Sequence, residues 1–371
     1  MKQGWEIKKL GEVCNINYGT RVVQKKDGGT IYPVYGGGGA TFKMDRYNRE
    51  DCLIVSRFAM SNQCVRYVSG KFFLNDSGLT IESNEVELSQ SFLDKHITAL
   101  NDTIYSLGKG VAQKNLDIKE LKLLDIKYPK SREEQERIVA ELDCLSGIIE
   151  KKKQQLKELD ALAQSIFYTM FGNPITNEKG WEIDRLGNMC DISSSKRIYA
   201  HEYCEDGIPF YRGKEITEKS KGNDISVELY ISEERYSELK NKFGVPQIGD
   251  ILITAVGTIG NIWVVDNDTP FYFKDGNVLW LQIKDNINPI YFKTLLYNLI
   301  DKYKESMANG CAYSALTIVN LKEMQTNKIP FVLQQQFAEE IEAIEKQKEL
   351  IKKSISEVED LFNSRMSYYF N

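Results

Sequence analysis

The histidines and cysteines are the first candidates for metal or thiol chemistry in this chain, and their spacing argues against a zinc site and against a paired-cysteine motif. The two histidines, His96 and His201, have no second ligand at the spacing of a zinc site, so neither zinc-dependent nor histidine-based catalysis is expected. The seven cysteines stand singly, without a CxxC pair, which is typical of reduced thiols in a cytoplasmic protein. We therefore predict neither a catalytic set nor a metal site.

Motifs for phosphate binding and for methyl transfer are also missing. No GxxxxGK[ST] loop occurs, and the glycine run at 36–39 lacks the GxGxxG spacing. The Asn-Pro-Pro-Tyr signature of amino-group DNA methyltransferases is absent, since Asn173-Pro174 only follows the end of a predicted helix. No apolar run reaches the roughly 20 residues of a membrane span. The sequence predicts a non-catalytic, cytoplasmic protein that has no cofactor and no membrane segment.

An internal duplication sets the positions of all the remaining candidate residues. Residues 4–16 (GWEIKKLGEVCNI) recur as residues 180–192 (GWEIDRLGNMCDI), with eight of the thirteen positions identical at an offset of 176. Residues 33–35 match residues 209–211 at the same offset, and later blocks match at an offset of 199. The second copy therefore contains about 23 additional residues, roughly 213–249. Several collinear matches of this kind indicate a tandem duplication.

A long amphipathic helix is predicted after each copy. Apolar residues recur at spacings of four and three, which is the heptad seam of a coiled coil. The seam residues are Ile138, Leu142, Leu145, Ile149, Leu156 and Leu159 in the first helix, and Phe337, Ile341, Ile344, Ile351, Ile355 and Val358 in the second. Each seam contains one lysine, Lys152 or Lys348, which we expect to disfavour slipped registers. Because each helix follows its own domain, the two helices should pair antiparallel.

Short apolar runs bounded by turn residues predict strands in both copies. The runs at 262–265 and 271–273 are separated by turn residues and are expected to form a hairpin. The predicted fold class is α+β, a tandem duplication of two mostly-β domains separated by two long antiparallel coiled-coil helices. The predicted boundaries are 1–130 for the first domain, 131–173 for the first helix, 174–330 for the second domain and 331–371 for the second helix.

The repeated motifs resemble those of a known family. The opening at 4–13 and its repeat are similar to the start of the target recognition domains in type I restriction–modification specificity subunits. The segment PVYGGGGA at 33–40 is similar to their glycine-rich segment, and 133–140 and 334–339 resemble the starts of their spacer helices. The resemblance implies that each domain reads one half of a bipartite, asymmetric double-stranded DNA target, while the helices fix the spacer. It also implies that two methyltransferase (modification) subunits dock on the chain and that restriction subunits join the complex.

Candidate DNA-binding residues lie on loops at matching places in the two copies. Arg57, Asn62 and Gln63 follow a strand in the first copy and can bond to base edges, arginine to guanine and the amides to adenine. Thr258 and Asn261 occupy the equivalent loop of the second copy. Further candidates, for phosphate contact or close backbone approach, are Arg21, Lys25, Lys26, Gly36, Gly37, Gly38, Lys109, Lys114, Lys196, Arg197, Arg212, Lys214, Tyr313 and Ser314. An ordinary solvated loop is an equally good interpretation of these residue types.

The charge distribution leaves a second class of function open. Lysines and arginines exceed carboxylates by 4 in residues 1–130 but fall short by 4 in residues 174–330. An acidic second domain fits a non-catalytic adaptor or scaffold protein whose duplicated β-domains bind other proteins. A silent variant of a specificity subunit would have the same sequence pattern. DNA binding that weakens as salt rises would distinguish a specificity subunit from an adaptor.

Overall fold

The computed structural model of the chain describes residues 4–111, 113–308 and 315–370. The chain divides into two units, the first comprising residues 1–154 and 352–371 and the second residues 155–351. We call the part of the first unit that precedes its long helix the first domain. The part of the second unit that lies between the two long helices is the second domain. Each unit contains one copy of the duplicated sequence and portions of both long helices.

The first domain is built on a six-stranded sheet. In order across the sheet, its strands are Cys14–Tyr18, Gly78–Ser83, Arg49–Ser56, Val65–Leu74, Tyr32–Tyr35 and Ala40–Met44. Two short antiparallel pairs join Trp5–Lys9 to Asp125–Pro129 and Gly108–Lys109 to Asn115–Leu116. The helices are Leu10–Val13, Gln24–Asp27, Gln90–Ala99, Asn101–Ser106 and Ile118–Lys122. The Ser89 hydroxyl caps the first turn of Gln90–Ala99, whose apolar side chains join the core of the unit.

The second domain has two four-stranded sheets in place of the single large one. One has the order Cys190–Ser194, Val278–Ile283, Ile251–Thr254 and Ile262–Val264, and the other Tyr203–Cys204, Tyr230–Ile231, Ile208–Tyr211 and Tyr272–Phe273. Strand Ile183–Arg185 pairs with Gln325–Asn327. The helices are Leu186–Met189, the 3-10 turn Ala200–Glu202, Gly213–Ser220, Glu233–Phe243, Pro289–Ala308 and Ile318–Glu323. The additional residues of this copy thus form two helices and a short strand.

The duplication is visible in the strand pairing. In the first domain Val34 lies beside Phe73 in a parallel pair of strands, and in the second domain Phe210 lies beside Tyr272 in the same way. These positions are related by the two sequence offsets, 176 for the first residue and 199 for the second. Matching pairs in matching register show that the repeat is one of structure as well as of sequence.

The hairpin predicted from 262–265 and 271–273 is wrong. Ile262–Val264 pairs with Ile251–Thr254, whereas Tyr272–Phe273 pairs in parallel with Ile208–Tyr211 in the other sheet. In the first domain one continuous strand, Val65–Leu74, spans both positions. The turn residues of the second copy therefore divide a strand that the first copy keeps whole.

The two long helices extend over Arg132–Phe171 and Phe331–Phe370, forty residues each. Within the first unit, Lys153 forms an ion pair with Glu359 at 2.8 Å and Glu141 accepts from Arg365 at 2.9 Å. From Glu141 to Lys153 the residue numbers rise along the first helix, while those of their partners fall from Arg365 to Glu359 along the second. The helices therefore run antiparallel there. The predicted fold class, α+β domains in tandem with long antiparallel helices, is confirmed.

The helices are antiparallel within the second unit as well. Phe337 lies in edge-to-face contact with Phe167, and Lys348 forms an ion pair with Asp160 at 2.7 Å. All twelve predicted seam residues are buried or half-buried. Both seam lysines are half-buried. The Lys348 side chain is 16% exposed and also pairs with Glu345 at 2.8 Å. The Lys348 ammonium is therefore held inside a small ion-pair network at the seam.

A buried glutamine joins the start of each long helix to its domain. Gln135 accepts from the Ser89 amide at 2.8 Å and donates to the Pro129 carbonyl at 2.7 Å. Gln334 accepts from the Asn288 amide at 2.9 Å and donates to a carbonyl before its own helix at 2.8 Å. The two glutamines are 199 positions apart and nearly inaccessible, at 0% and 1% exposure. A buried amide with both of its groups bonded fixes the direction in which the helix leaves the domain.

The far end of each long helix is also anchored in matching fashion. Phe370 packs against Phe92 in the first unit at a ring distance of 5.3 Å, and Phe171 packs against Tyr291 in the second at 5.0 Å. Both pairs belong to the buried cores of their units. Each domain therefore packs against the start of one long helix and the end of the other.

Candidate nucleic-acid interface

Loops meet at one end of the sheet in the first domain. The Ser77 hydroxyl accepts from the Gly37 amide at 3.1 Å, and its carbonyl accepts from the Arg57 amide at 2.8 Å. The Arg57 carbonyl in turn accepts from the Leu116 amide at 2.8 Å. We call these segments, residues 36–39, 57–63, 75–77 and 113–116, the first loop cluster. It contains most of the residues that the sequence singled out in this copy.

The glycine run of this cluster has two parts. A Cβ at Gly36 would lie 2.3 Å from the Ser77 hydroxyl, and a Cβ at Gly37 would lie 2.4 Å from the Phe58 carbonyl. Both residues are buried, so the need for glycine there is explained by close packing inside the domain. Gly38 is exposed with open space around it and remains a candidate for approach to DNA.

Arg57 is held between two aromatic rings. Its guanidinium carbon lies 4.7 Å from the ring centre of Tyr18 and 4.5 Å from that of Phe58. Tyr18 and Phe58 themselves remain 46% and 37% exposed. No hydrogen bond joins the guanidinium to another residue of the described ranges, so its N–H groups are available to a ligand. Stacking on aromatic faces orients the planar guanidinium group without using any of its N–H donors.

The other predicted contact residues at the front of this domain are exposed. Asn62 and Gln63 use their backbone carbonyls within the loop, which leaves their amide side chains at the surface. Arg21 is exposed, and Lys25 and Lys26 lie on a one-turn helix next to the edge strand of the sheet. None of these three cations forms an ion pair with a residue that the structure describes.

Two further lysines are engaged within the first domain. Lys109 pairs with Asp117 at 2.6 Å, and the hydrogen bond from Lys109 lowers the pKa of that carboxyl. The Lys114 ammonium lies 4.0 Å from the ring centre of Tyr105. A phosphate contact by Lys109 would have to compete with an existing ion pair, whereas Lys114 keeps its charge free of a carboxylate among the described residues.

In the second domain the equivalent loop is organised by threonines. Asn261 donates from its side-chain amide to the Thr217 hydroxyl at 3.0 Å and to the Thr258 carbonyl at 2.9 Å. The Asn261 backbone amide donates to the Thr254 hydroxyl at 3.0 Å. We call residues 254–261 with Thr217 the second loop cluster. Thr258 itself is exposed at its tip.

Most predicted cations of the second domain are paired with carboxylates. Arg212 bridges the buried Glu215 at 2.8 Å and Glu228 at 2.7 Å, and Lys214 pairs with Glu228 at 2.6 Å. Hydrogen bonds from Lys214 and Arg212 lower the pKa of Glu228 to about 2, so this carboxylate is ionised at neutral pH. These ion pairs join parts of the additional segment to one another and to Arg212, the residue after strand Ile208–Tyr211. The two cations therefore have a structural role that does not require DNA.

The remaining candidates of this copy differ among themselves. Arg197 pairs with Asp275 at 2.9 Å, and the Lys196 ammonium lies 4.8 Å from the ring centre of Phe243. Tyr313 and Ser314 lie outside the described residues. Lys196 is therefore the described cation of this group whose charge is not matched by a carboxylate contact.

The described ranges contain no cluster of side chains suited to binding a metal ion. No group of three or more histidine, cysteine or acidic side chains could hold a metal ion there, and the six cysteines within those ranges are free thiols. Burial lowers the pKa of His96 to about 4, so this side chain is neutral at pH 7. Among the described helices, none has the length and apolar character needed to cross a membrane.

The sequence analysis did not identify the residues that orient Arg57 and Asn261, the two candidates for base contact. Tyr18 and Phe58 flank Arg57, and Thr217 and Thr254 hold Asn261. Tyr18 comes from a different strand, and Thr217 comes from the additional segment of the second copy. Only Phe58, an aromatic residue next to Arg57 in sequence, offered a local signal.

Comparison with known proteins gives a consistent family. The model of the type I restriction modification DNA specificity domain matches residues 2–161 and again residues 178–360. A Haemophilus influenzae protein named as a type I restriction enzyme specificity subunit, S.HindORF215P, is 26% identical over 337 residues, which cover 88% of this chain and 83% of that protein. The MjaIX type I restriction enzyme specificity subunit of Methanocaldococcus jannaschii is 30% identical over 160 residues, covering 38% of this chain and 36% of that one.

A solved structure shares the fold over nearly the whole length. The crystal structure of a type I restriction–modification S subunit from M. genitalium superimposes with a TM-score of 0.59 at 18% identity, covering 99% of this chain and 96% of that one. The family model matches each copy of the duplicated sequence separately, in the order that the two domains follow along the chain. The chain therefore belongs to the family of type I restriction–modification specificity subunits, with two copies of the specificity domain.

Proposed function

We propose that each domain reads one half of a bipartite, asymmetric double-stranded DNA target. The observation that carries this proposal is the pair of loop clusters, which occupy equivalent ends of the duplicated sheets but offer different polar groups. Arg57 offers guanidinium N–H groups in the first domain, and Asn261 offers an amide group in the second. Because base edges in the major groove differ in their pattern of donors and acceptors, unlike groups on one framework would select unlike half-sites.

The first domain supplies the better candidates for phosphate contact. Arg21, Lys25 and Lys26 have no carboxylate partner among the described residues, whereas Arg212 and Lys214 of the second domain are held in ion pairs. The surplus of four positive charges in residues 1–130 agrees with this. Phosphate contacts position a protein on DNA and make its binding sensitive to salt.

The long helix pair is proposed to fix the spacer between the half-sites and to bind the methyltransferase subunits. Apolar side chains remain exposed on the helices away from the seam, at Ile148, Leu162, Leu350 and Leu361. Exposed apolar residues on a helix are typical of a protein–protein interface. Two methyltransferase subunits would dock there, and restriction subunits would join through the complex.

The chain itself is proposed to be a non-catalytic subunit that has no cofactor and that acts in the cytoplasm, where its DNA target is. Methyl transfer and DNA cleavage would then belong to the partner subunits.

The test is to co-express the chain with its methyltransferase subunit and to map methylated adenines across the host genome. We expect methylation at one asymmetric sequence with a fixed gap. Methylation of a continuous or symmetric sequence would contradict the proposal, and the absence of any methylation would favour the adaptor function.

A shortened helix pair tests the spacer separately. Removing residues 150–156 and 352–358 deletes one heptad from each helix and keeps the four-and-three spacing of the seam. Seven residues of helix correspond to about 10 Å, or about 3 base pairs of DNA. The gap between half-sites should shorten while the bases of both half-sites stay the same. Changed bases with an unchanged gap would refute the role in spacing.

A further inference from the structure

The orientation of the Asn261 side chain is fixed by its neighbours. The Thr258 carbonyl can only accept a hydrogen bond, so the group 2.9 Å away must be the NH2 of the amide and not its oxygen. The Thr217 hydroxyl donates its own hydrogen to the Gly213 carbonyl at 2.7 Å, which leaves it an acceptor toward the second N–H of Asn261 at 3.0 Å. The two amide hydrogens are therefore both used inside the domain.

The loop around Asn261 is held just as firmly. Its backbone amide donates to the Thr254 hydroxyl at 3.0 Å, and Thr254 is fully buried at the end of strand Ile251–Thr254. Turning the side-chain amide over would place its oxygen against the Thr258 carbonyl and would break two hydrogen bonds. Such a bond contributes about 1 kcal/mol, so the observed orientation is strongly preferred.

The fixed orientation leaves one polar atom of the side chain without a partner. Within the described residues, no hydrogen bond reaches the Asn261 side-chain oxygen, and the side chain is half-buried at the end of the sheet. Adenine recognition by asparagine through two hydrogen bonds requires a donor to N7 and an acceptor for the 6-amino group. Asn261 has only the acceptor left.

We propose that Asn261 is a specificity-determining residue that reads an amino group, the 6-amino group of adenine or the 4-amino group of cytosine, through its side-chain oxygen alone. This inference rests on the proposed function and adds the class of base that the second domain recognises. Such a contact differs from the two-bond contact to N7 and the amino group by which asparagine commonly recognises adenine. Guanine and thymine present only acceptors, or a methyl group, at the corresponding edge and would leave the Asn261 oxygen unpaired.

The experiment measures binding of duplex DNA by the complex of the chain with its methyltransferase subunit, using the target sequence from the methylation map. Each adenine of the second half-site is replaced in turn by purine, which lacks the amino group, or by 7-deazaadenine, which lacks N7. Each cytosine is replaced by 2-pyrimidinone, which lacks the amino group. At one position we expect loss of the amino group to weaken binding about tenfold. If that base is adenine, we expect loss of N7 to have no effect there.

Two variants link that position to Asn261. In Asn261→Ala, removal of the amino group should no longer weaken binding, because its acceptor is gone. Asn267→Ala is the matched control, since Asn267 is an exposed asparagine in the loop beyond the other end of strand Ile262–Val264. The control should retain the full tenfold dependence. Both variants count as correctly folded if altering the other bases of the second half-site, and bases of the first half-site, changes their affinity as it does for the wild type.

The outcomes separate this inference from the proposed function. If bases of the first half-site matter and none in the second half-site depends on Asn261, only the inference is overturned. An adenine that requires both its amino group and N7 through Asn261 would overturn the acceptor-only orientation. If no base replacement in either half-site changes binding, the proposed reading of DNA by the two domains fails with it.

Discussion

The loop that follows strand Arg49–Ser56 and the loop that follows strand Ile251–Thr254 stand at the same place in a duplicated framework and offer opposite hydrogen-bonding groups. The first presents a guanidinium, a group of donors, stacked between Tyr18 and Phe58. The second presents an amide whose N–H groups are bonded internally. The framework residues Gln135 and Gln334 meanwhile keep matching roles. Duplication has therefore preserved what holds each domain to its helix, while the loops at the end of the sheet have diverged.

The largest effect that would test this difference is expected from Arg57→Ala. Loss of the guanidinium should cost about 1–3 kcal/mol of binding to the preferred first half-site, because a bidentate contact to guanine would be lost. Adenine methylation mapping should show a relaxed base preference at one position of that half-site and an unchanged second half-site.

Arg46→Ala is the matched control for Arg57→Ala. Arg46 is also stacked on an aromatic ring, that of Phe73 at 5.6 Å, but it precedes strand Arg49–Ser56 while Arg57 follows it. The variant Arg46→Ala should leave the base preference at both half-sites unchanged. If Arg57→Ala weakened binding equally at all DNA sequences, Arg57 would contact phosphate. The claim that the first loop reads a base through guanidinium donors would then be wrong.

A second contrast lies in the cores of the two units. His96 is buried in the first, stacked on Phe370, and the residue 199 positions later is the buried Leu295. Burial lowers the pKa of His96 from 6.5 to about 4, so the unfolded chain binds a proton that the folded unit does not. His96 therefore costs stability as the pH falls from 6.5 toward 4, by about 2 kcal/mol at pH 5.

The substitution His96→Leu tests this difference, because it gives the first unit the leucine that the second unit has at the equivalent position. The free energy of unfolding of the first unit in the variant should rise relative to wild type by about 2 kcal/mol between pH 7 and pH 5. Burial raises the pKa of the neighbouring Asp94 to about 6, which acts in the opposite direction, but this group is present in both proteins and cancels. Hydrogen exchange, followed separately for the amides of each unit, measures this free energy in both proteins. A difference that does not change with pH would show that His96 titrates normally.

The features that the sequence could predict are those encoded in local periodicity. The seam of the long helices depends only on spacing along one helix, and the antiparallel pairing follows from the order of the domains. The repeat was equally visible, because matching strands keep their offsets of 176 and 199. The prediction that was wrong concerned which strands share a sheet. Whether 262–265 and 271–273 pair with each other or with other strands depends on partners that are distant in sequence.

The candidate interface was harder to predict for the same reason. A lone sequence shows that Arg212 and Lys214 are basic, but it does not show that Glu228, fourteen residues beyond Lys214, neutralises them. Nor does it show which glycines of the run at 36–39 are buried. The residue types of Arg57 and Asn261 were recognisable, whereas their orientation depends on Tyr18 and Thr217, which other elements bring to them.

The smallest effect, and the one that most sharpens the comparison, concerns the orientation of Arg57. Tyr18 corresponds to Ser194 of the second domain, so Tyr18→Ser removes one wall of the stack and copies the other loop. A cation–π contact at a partly exposed site contributes about 0.5–1 kcal/mol, so binding to the first half-site should weaken by a few-fold with its base preference retained. In an Arg57→Ala background the same change should have no further effect, because the ring then has no cation to orient. Tyr67→Ser, at another exposed tyrosine of the same sheet, is the control. Additive losses from Tyr18→Ser and Arg57→Ala would mean that Tyr18 contacts DNA directly and does not act by positioning Arg57.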